Sequence, residues 1–135
     1  MRVLEPGGRA VIAVWGARDK CGWAEIFPIV DRRVASDVCP LFFQLGTGDM
    51  LRHTMERAGF TAIVVNRLST TLQYMSDEEA CGGAFAGGPV ALAYSRFDAS
   101  TRDEAHAEYL GSIEAWRDGD SYQVPGEFVV ARGTK

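Results

Sequence analysis

Apolar residues run almost unbroken through Arg9-Ala10-Val11-Ile12-Ala13-Val14-Trp15, between the turn tripeptide Pro6-Gly7-Gly8 and Gly16. A short continuous run of this kind predicts a strand covered on both faces, as in an α/β sheet. Over residues 22–36 the pattern changes: Trp23, Phe27, Val30 and Val34 recur at helical spacing and predict one buried stripe. Pro28 interrupts that stretch, because it has no N–H and its ring crowds the preceding turn, so a kink or a start near Pro28 is expected. Residues 40–46 read as an apolar connection. Residues 47–58 predict a second helix with Leu51, Met55 and Ala58 inward, Thr47 as its cap and Asp49 at its positive end. Gly59 sits where a left-handed C-terminal residue is wanted.

Residues 60–67 are rich in Val and Ile and predict a strand, which residues 69–74 extend past a bulge. Ser76-Asp77-Glu78-Glu79 has the form of a capping box and opens a helix, which Gly82-Gly83 and Gly87-Gly88-Pro89 then break up. Thr101-Arg102-Asp103-Glu104 is a second such box, opening a helix with Ala105, Tyr109, Ile113 and Trp116 on its apolar face. Asp118-Gly119-Asp120 is a turn, and a final strand is expected over residues 127–131. The carboxylate pairs Glu78-Glu79 and Asp103-Glu104 stand at helix starts, where capping and the helix dipole account for them.

The 135 residues predict a single domain, residues 1–135. With 47% hydrophobic and 24% charged residues, the chain is too apolar for disorder. A net charge of −4, without a Lys/Arg run, argues against nucleic acid as a partner. The apolar runs are too short to span a bilayer and no apolar signal region follows Met1, so a cytoplasmic protein is expected. Cys21, Cys39 and Cys81 are odd in number and widely spaced, and read as three reduced thiols. His53 and His106 each fall on a predicted helix among charged neighbours and read as partly exposed surface side chains. Neither belongs to a nucleophile motif, and no His or carboxylate cluster has a metal-ligand spacing.

Three segments resemble parts of the class I S-adenosylmethionine-dependent methyltransferases. Arg2-Val3-Leu4-Glu5-Pro6-Gly7-Gly8 and the apolar run after it resemble the turn that leads into that family's fifth strand. Residues 51–60, ending Glu56-Arg57-Ala58-Gly59-Phe60, are similar to the helix before the sixth strand. Pro125-Gly126-Glu127-Phe128-Val129-Val130-Ala131-Arg132-Gly133 is similar to the last, antiparallel strand. The resemblance covers nearly the whole chain, in the family's order. It implies an α/β fold with a small three-stranded mixed sheet, the fifth, seventh and sixth strands side by side, the last between the other two and antiparallel to them, flanked by helices.

The family's cofactor half has no counterpart here. Its Gly-rich turn follows a strand and opens a helix, whereas Gly7-Gly8 precedes a strand, and neither Gly82-Gly83 nor Gly87-Gly88 has the G-x-G-x-x-G spacing. No residue is therefore assigned as a cofactor ligand, and S-adenosylmethionine is expected only if a partner supplies the missing half. The family order leaves Ala10-Val11-Ile12-Ala13-Val14-Trp15 as an edge strand, which implies a homodimer joined through it.

The family's substrate lid corresponds to positions holding Trp15, Trp23, Phe27, Phe42, Phe43, Tyr74 and Phe85. These aromatics form either an apolar pocket for a small hydrophobic molecule or the core of a shortened domain. The functional expectation is a non-catalytic, methyltransferase-like stand-alone module that dimerises and binds a small apolar ligand or a protein. The alternative is one half of a split, or N-terminally truncated, methyltransferase acting on a small molecule once completed.

Overall fold

The computed structural model of the protein describes residues 4–34 and 42–135. Arg2 and Val3 of the opening motif, Cys39, and the Pro40-Leu41 start of the apolar connection lie outside the described residues. The fold is α/β: the described residues form four strands and five α-helices in the order β1 (Arg9–Trp15), α1 (Ile26–Asp31), α2 (Met50–Arg57), β2 (Thr61–Tyr74), α3 (Asp77–Cys81), α4 (Ala91–Tyr94), α5 (Ala99–Ile113), β3 (Arg117–Asp118) and β4 (Ser121–Thr134). The open sheet has the strand order β1-β4-β2, with β3 also paired to β4. Its pairs are antiparallel, with Arg9 opposite Thr134 and Trp15 opposite Phe128. The expected placement of the last strand, between the other two and antiparallel to them, is the one observed; the sheet differs from the expected three-stranded mixed one in its short fourth strand, β3, and in that its pairs are antiparallel. β1 and β2 never pair with each other, because β4 lies between them and runs against both.

By its internal contacts the chain divides into two compact units, Met1–Cys21 with Leu41–Thr70 and Gly126–Lys135, and Gly22–Pro40 with Thr71–Pro125. The first unit holds the paired part of β1 and β4. Its opening turn has Pro6 and then Gly7 at φ +80°, with the Gly8 N–H donating to Glu5 O at 2.9 Å. Those are the requirements of a type II turn, and they explain why a Pro-Gly pair starts the strand. Helix α2 lays Leu51 and Met55 on Val129 and Ala131, with Ile12, Val14, Phe60, Ile63 and Val65 packed around them. The end of α2 is fixed by Gly59 at φ +83°. Gly59 N–H donates to Glu56 O and Phe60 N–H to Met55 O, the paired bonds of a Schellman motif.

Several expectations for this unit need correction. β1 is not covered on both faces: its burial alternates, and Val11 is 70% exposed while Ile12 and Val14 face α2. Thr47 does not cap α2, because its hydroxyl donates back to Phe43 O at 2.9 Å and the helix starts three residues later. The closing strand is longer than residues 127–131, running from Ser121 to Thr134 straight through Pro125 and Gly126. A proline is tolerated there because the pairing of β4 with β1 ends at Phe128, leaving Pro125 without a β1 partner for an N–H to serve.

In the second unit, the described part of the stretch expected as one helix, residues 22–34, forms a 3-10 turn, Gly22–Glu25, followed by the short α1; residues 35 and 36 lie outside the described residues. Pro28 falls in the first turn of α1, where a missing N–H leaves no bond unmade. α1 packs on α5, and the Arg33 guanidinium pairs with Glu108 at 2.9 Å. α3 opens as expected: Ser76 Oγ accepts from Glu79 N–H at 3.1 Å, and the Glu79 carboxylate returns to Met75 N–H at 2.7 Å. α5 starts earlier than its predicted box. Asp98, not Thr101, is the cap, and its carboxylate accepts from Thr101 N–H at 2.8 Å. The expected inward face of α5 is present in Ala105, Tyr109 and Ile113, all buried.

Candidate functional site

Between α3 and α4 the chain makes one wide π turn, Gly82–Ala86, closed by Gly87 N–H donating to Gly82 O at 3.0 Å. Glycine is needed at its exit, since a Cβ on Gly88 would lie 2.3 Å from Ala84 O. Turns of this width are uncommon and concentrate at functional sites. This one seats Phe85 at 0% exposure, in ring contact with Tyr94 (5.1 Å), His106 (5.3 Å) and Tyr109 (5.5 Å).

Above Phe85, Tyr94 Oη and His106 Nε2 are 2.8 Å apart. Their rings lie within 20° of parallel, and the Arg102 guanidinium sits 5.0 Å over the Tyr94 ring. α4 supplies Tyr94 and α5 supplies His106 and Arg102, so two helices aim the polar pair at one place. The pair forms part of the wall of a concavity of about 320 Å³, also lined by Asp77, Glu78, Cys81, Gly82, Ala86 and Leu110.

The charge state of these walls follows from their surroundings. Burial lowers the His106 pKa below its ordinary 6.5; Arg102 adds to the effect and Asp103 opposes it. Burial pushes the Cys81 thiol up to about 11, so it is neither a thiolate nor a nucleophile at neutral pH. Asp77 is held below the usual carboxylate range, first by the Tyr122 hydroxyl that donates to it at 2.6 Å and then by Arg117 at 3.3 Å. The buried Tyr109 phenol is pushed up by desolvation, and no hydrogen bond of regular geometry satisfies its hydroxyl, although Tyr74 influences its ionisation.

Because the unfolded chain protonates His106 more readily than the folded one, acid opposes folding at this position. Stability is expected to be full above pH 6.5 and to fall as the pH drops through that value toward the lower folded pKa. Urea midpoints at pH 7.5 and 5.5 check this, with His106→Gln losing less of its midpoint than the parent.

His106 is partly exposed, as expected, and its ring is in addition hydrogen-bonded to Tyr94. His53 is exposed on α2 as expected. The seven aromatics singled out in the sequence divide between the units. Trp15, stacked 4.2 Å from Phe128, belongs to the first with Phe42 and Phe43, which meet edge to face at 5.1 Å. Trp23, Phe27, Tyr74 and Phe85 belong to the second, where Trp23 and Phe27 are 6.0 Å apart and both buried. Phe85 floors the Tyr94–His106 pair. Sequence reading missed Tyr94, Arg102 and the role of His106; the one available signal was the glycine-rich break at residues 82–88.

The first unit carries a different surface. Val11, Val64, Arg9, Arg132 and Thr134 line a shallow concavity of about 650 Å³, which also takes in Ala62 at φ +49°. β1 stands at the end of the strand order, with β4 as its one strand neighbour among the described residues.

Cys21 and Cys81 are free, buried thiols. Among the described residues, no group of three or more His, Cys, Asp or Glu side chains could hold a metal ion, and no helix is long and apolar enough to cross a membrane. No protein-family model and no curated protein matches the chain.

Proposed function

We propose that these residues are the substrate-side part of a class I S-adenosylmethionine-dependent methyltransferase acting on a small molecule, inactive until a cofactor-binding half is joined at β1. The observation that carries the reading is the strand order: β4 runs antiparallel between β1 and β2. That is the order of the family's fifth, seventh and sixth strands. The type II turn at Pro6-Gly7 and the Schellman end at Gly59-Phe60 support it, since both fall where the family's motifs fall.

The glycine turns support inactivity of these residues alone. Gly7-Gly8 leads into β1, and Gly82-Gly83 lies in the π turn, so neither follows a strand and opens a helix to cradle a nucleotide. Among the described residues β1 has β4 as its one strand neighbour, and its other edge is where the next strand of the larger sheet would add. Until it does, such an edge favours pairing with a second copy.

Calorimetric titration tests the reading. The chain alone is expected to show no heat with S-adenosylhomocysteine at millimolar concentration and to sediment as a dimer. Fused after the cofactor-binding half of a class I methyltransferase, it is expected to be monomeric and to bind at micromolar concentration. Micromolar binding by the chain alone, or a fusion that folds with β1 still open to self-pairing, would overturn the proposal.

A further inference from the structure

We infer that the concavity walled by Tyr94 and His106 is a binding site for a small, uncharged, single-ring molecule bearing one hydroxyl. This inference is independent of the methyltransferase reading and concerns the second unit alone.

Size is the first argument. About 320 Å³ is near the lower end of small-molecule pockets, room for one ring and little more. The space reaches the backbone: a Cβ built on Gly82 would meet nothing within 4 Å.

The second argument is the chemistry of the wall. Ala86, Leu110 and the protonated Cys81 are apolar or weakly polar, which suits a hydrocarbon ring. Of the charged groups on or beside the wall, Asp77 is engaged by Tyr122 and Arg117, the Arg102 guanidinium sits over the Tyr94 ring, and Glu78 is exposed to water in the first turn of α3, where the positive helix end favours its carboxylate. A neutral ligand therefore fits better than an ion.

The third argument is the hydrogen-bonding character of the pair. With His106 protonated on Nδ1, Tyr94 donates to Nε2 and its oxygen is left to accept. With the proton on Nε2, His106 donates and the Tyr94 hydroxyl is left to donate. One proton relocation thus lets the same oxygen serve a ligand hydroxyl in either role. Phe85 and Arg102 hold the two rings in place, so little side-chain freedom remains to be lost on binding.

Phenol is the probe, with toluene as the matched ring without a hydroxyl. Binding is followed by the nitrogen resonances of the His106 imidazole, assigned through His106→Gln. Phenol is expected to bind with a millimolar Kd and to move both His106 resonances. Toluene is expected to bind about fivefold more weakly, the equivalent of one hydrogen bond. Tyr94→Phe should erase that difference while leaving toluene affinity in place. Gly82→Leu, which fills the space, should weaken both ligands at least tenfold. The inference is overturned if phenol leaves the His106 resonances unmoved at tens of millimolar. It is equally overturned if Tyr94→Phe keeps the phenol preference or if a folded Gly82→Leu binds as the parent does. Should Gly82→Leu fail to fold, the Tyr94→Phe comparison decides alone.

Discussion

Gly46→Ala is expected to destabilise the protein by about 3 kcal/mol or more, the high end for forced overpacking. A Cβ at this position would lie 1.9 Å from Trp15 O and 2.7 Å from both Gly16 C and Gly16 Cα. All three are main-chain atoms at the end of β1, so no flexible side-chain tip can swing away. The segment is also pinned from the other side. Arg67 donates to Gly46 O at 3.1 Å and to Glu127 at 2.7 Å, and it bonds Gly48 O as well. Relief by shifting residue 46 would therefore break charge-assisted bonds that tie it to β2 and β4. Gly48→Ala is the control, because Gly48 has φ +52° and nothing within 4 Å of its Cβ. Backbone strain alone should cost that variant about 1–2 kcal/mol. Urea denaturation of both variants separates steric contact from strain. Equal midpoints would mean that residues 16 and 46 do not approach closely in solution.

Phe85→Ala should cost about 3–5 kcal/mol, as expected for a fully buried aromatic ring. Its ring is 0% exposed and touches Tyr94, His106 and Tyr109, so its removal leaves a void bordered by three polar tips. Phe85→Leu keeps most of the volume and should cost under about 1.5 kcal/mol. The two variants also separate packing from alignment. Phe85→Leu should retain the 2.8 Å Tyr94–His106 bond, seen as an unshifted His106 titration, whereas Phe85→Ala should let the imidazole reach water and titrate nearer 6.5. A loss below about 1 kcal/mol for Phe85→Ala would show that the π turn does not bury its aromatic residue.

Local pattern carried much of the fold. The β1 run, the α5 stripe of Ala105, Tyr109 and Ile113, the Ser76 box and the Gly59 end all depend on interactions spanning a few residues. Where local pattern misled, a competing partner at short range usually decided. Thr47 found Phe43 O instead of the α2 start, and Asp98 took the cap ahead of Thr101. The length of β4 was hidden because Pro125-Gly126 reads as a turn unless the end of its neighbour strand is known.

The candidate site was almost illegible by comparison. Tyr94 and His106 are twelve positions apart on two helices, and neither stands in a spacing that names a chemistry. His106 among Arg102, Asp103 and Glu104 looks like a solvated surface residue, and α5 is only weakly amphipathic along its length. Phe85 was legible as an aromatic of interest, yet its partners were not.

The sequence by itself determined that strands form at β1, β2 and β4 and that helices form at α2, α3 and α5. Those features rest on dihedral preferences, caps and periodicities that each segment carries alone. Only the tertiary structure decided that one face of β1 stays open, that Gly46 must lack a side chain, and that Tyr94, His106 and Gly82 share one concavity. Each of those depends on which distant backbone and side-chain atoms end up within a few ångströms of one another, and no local preference encodes that distance.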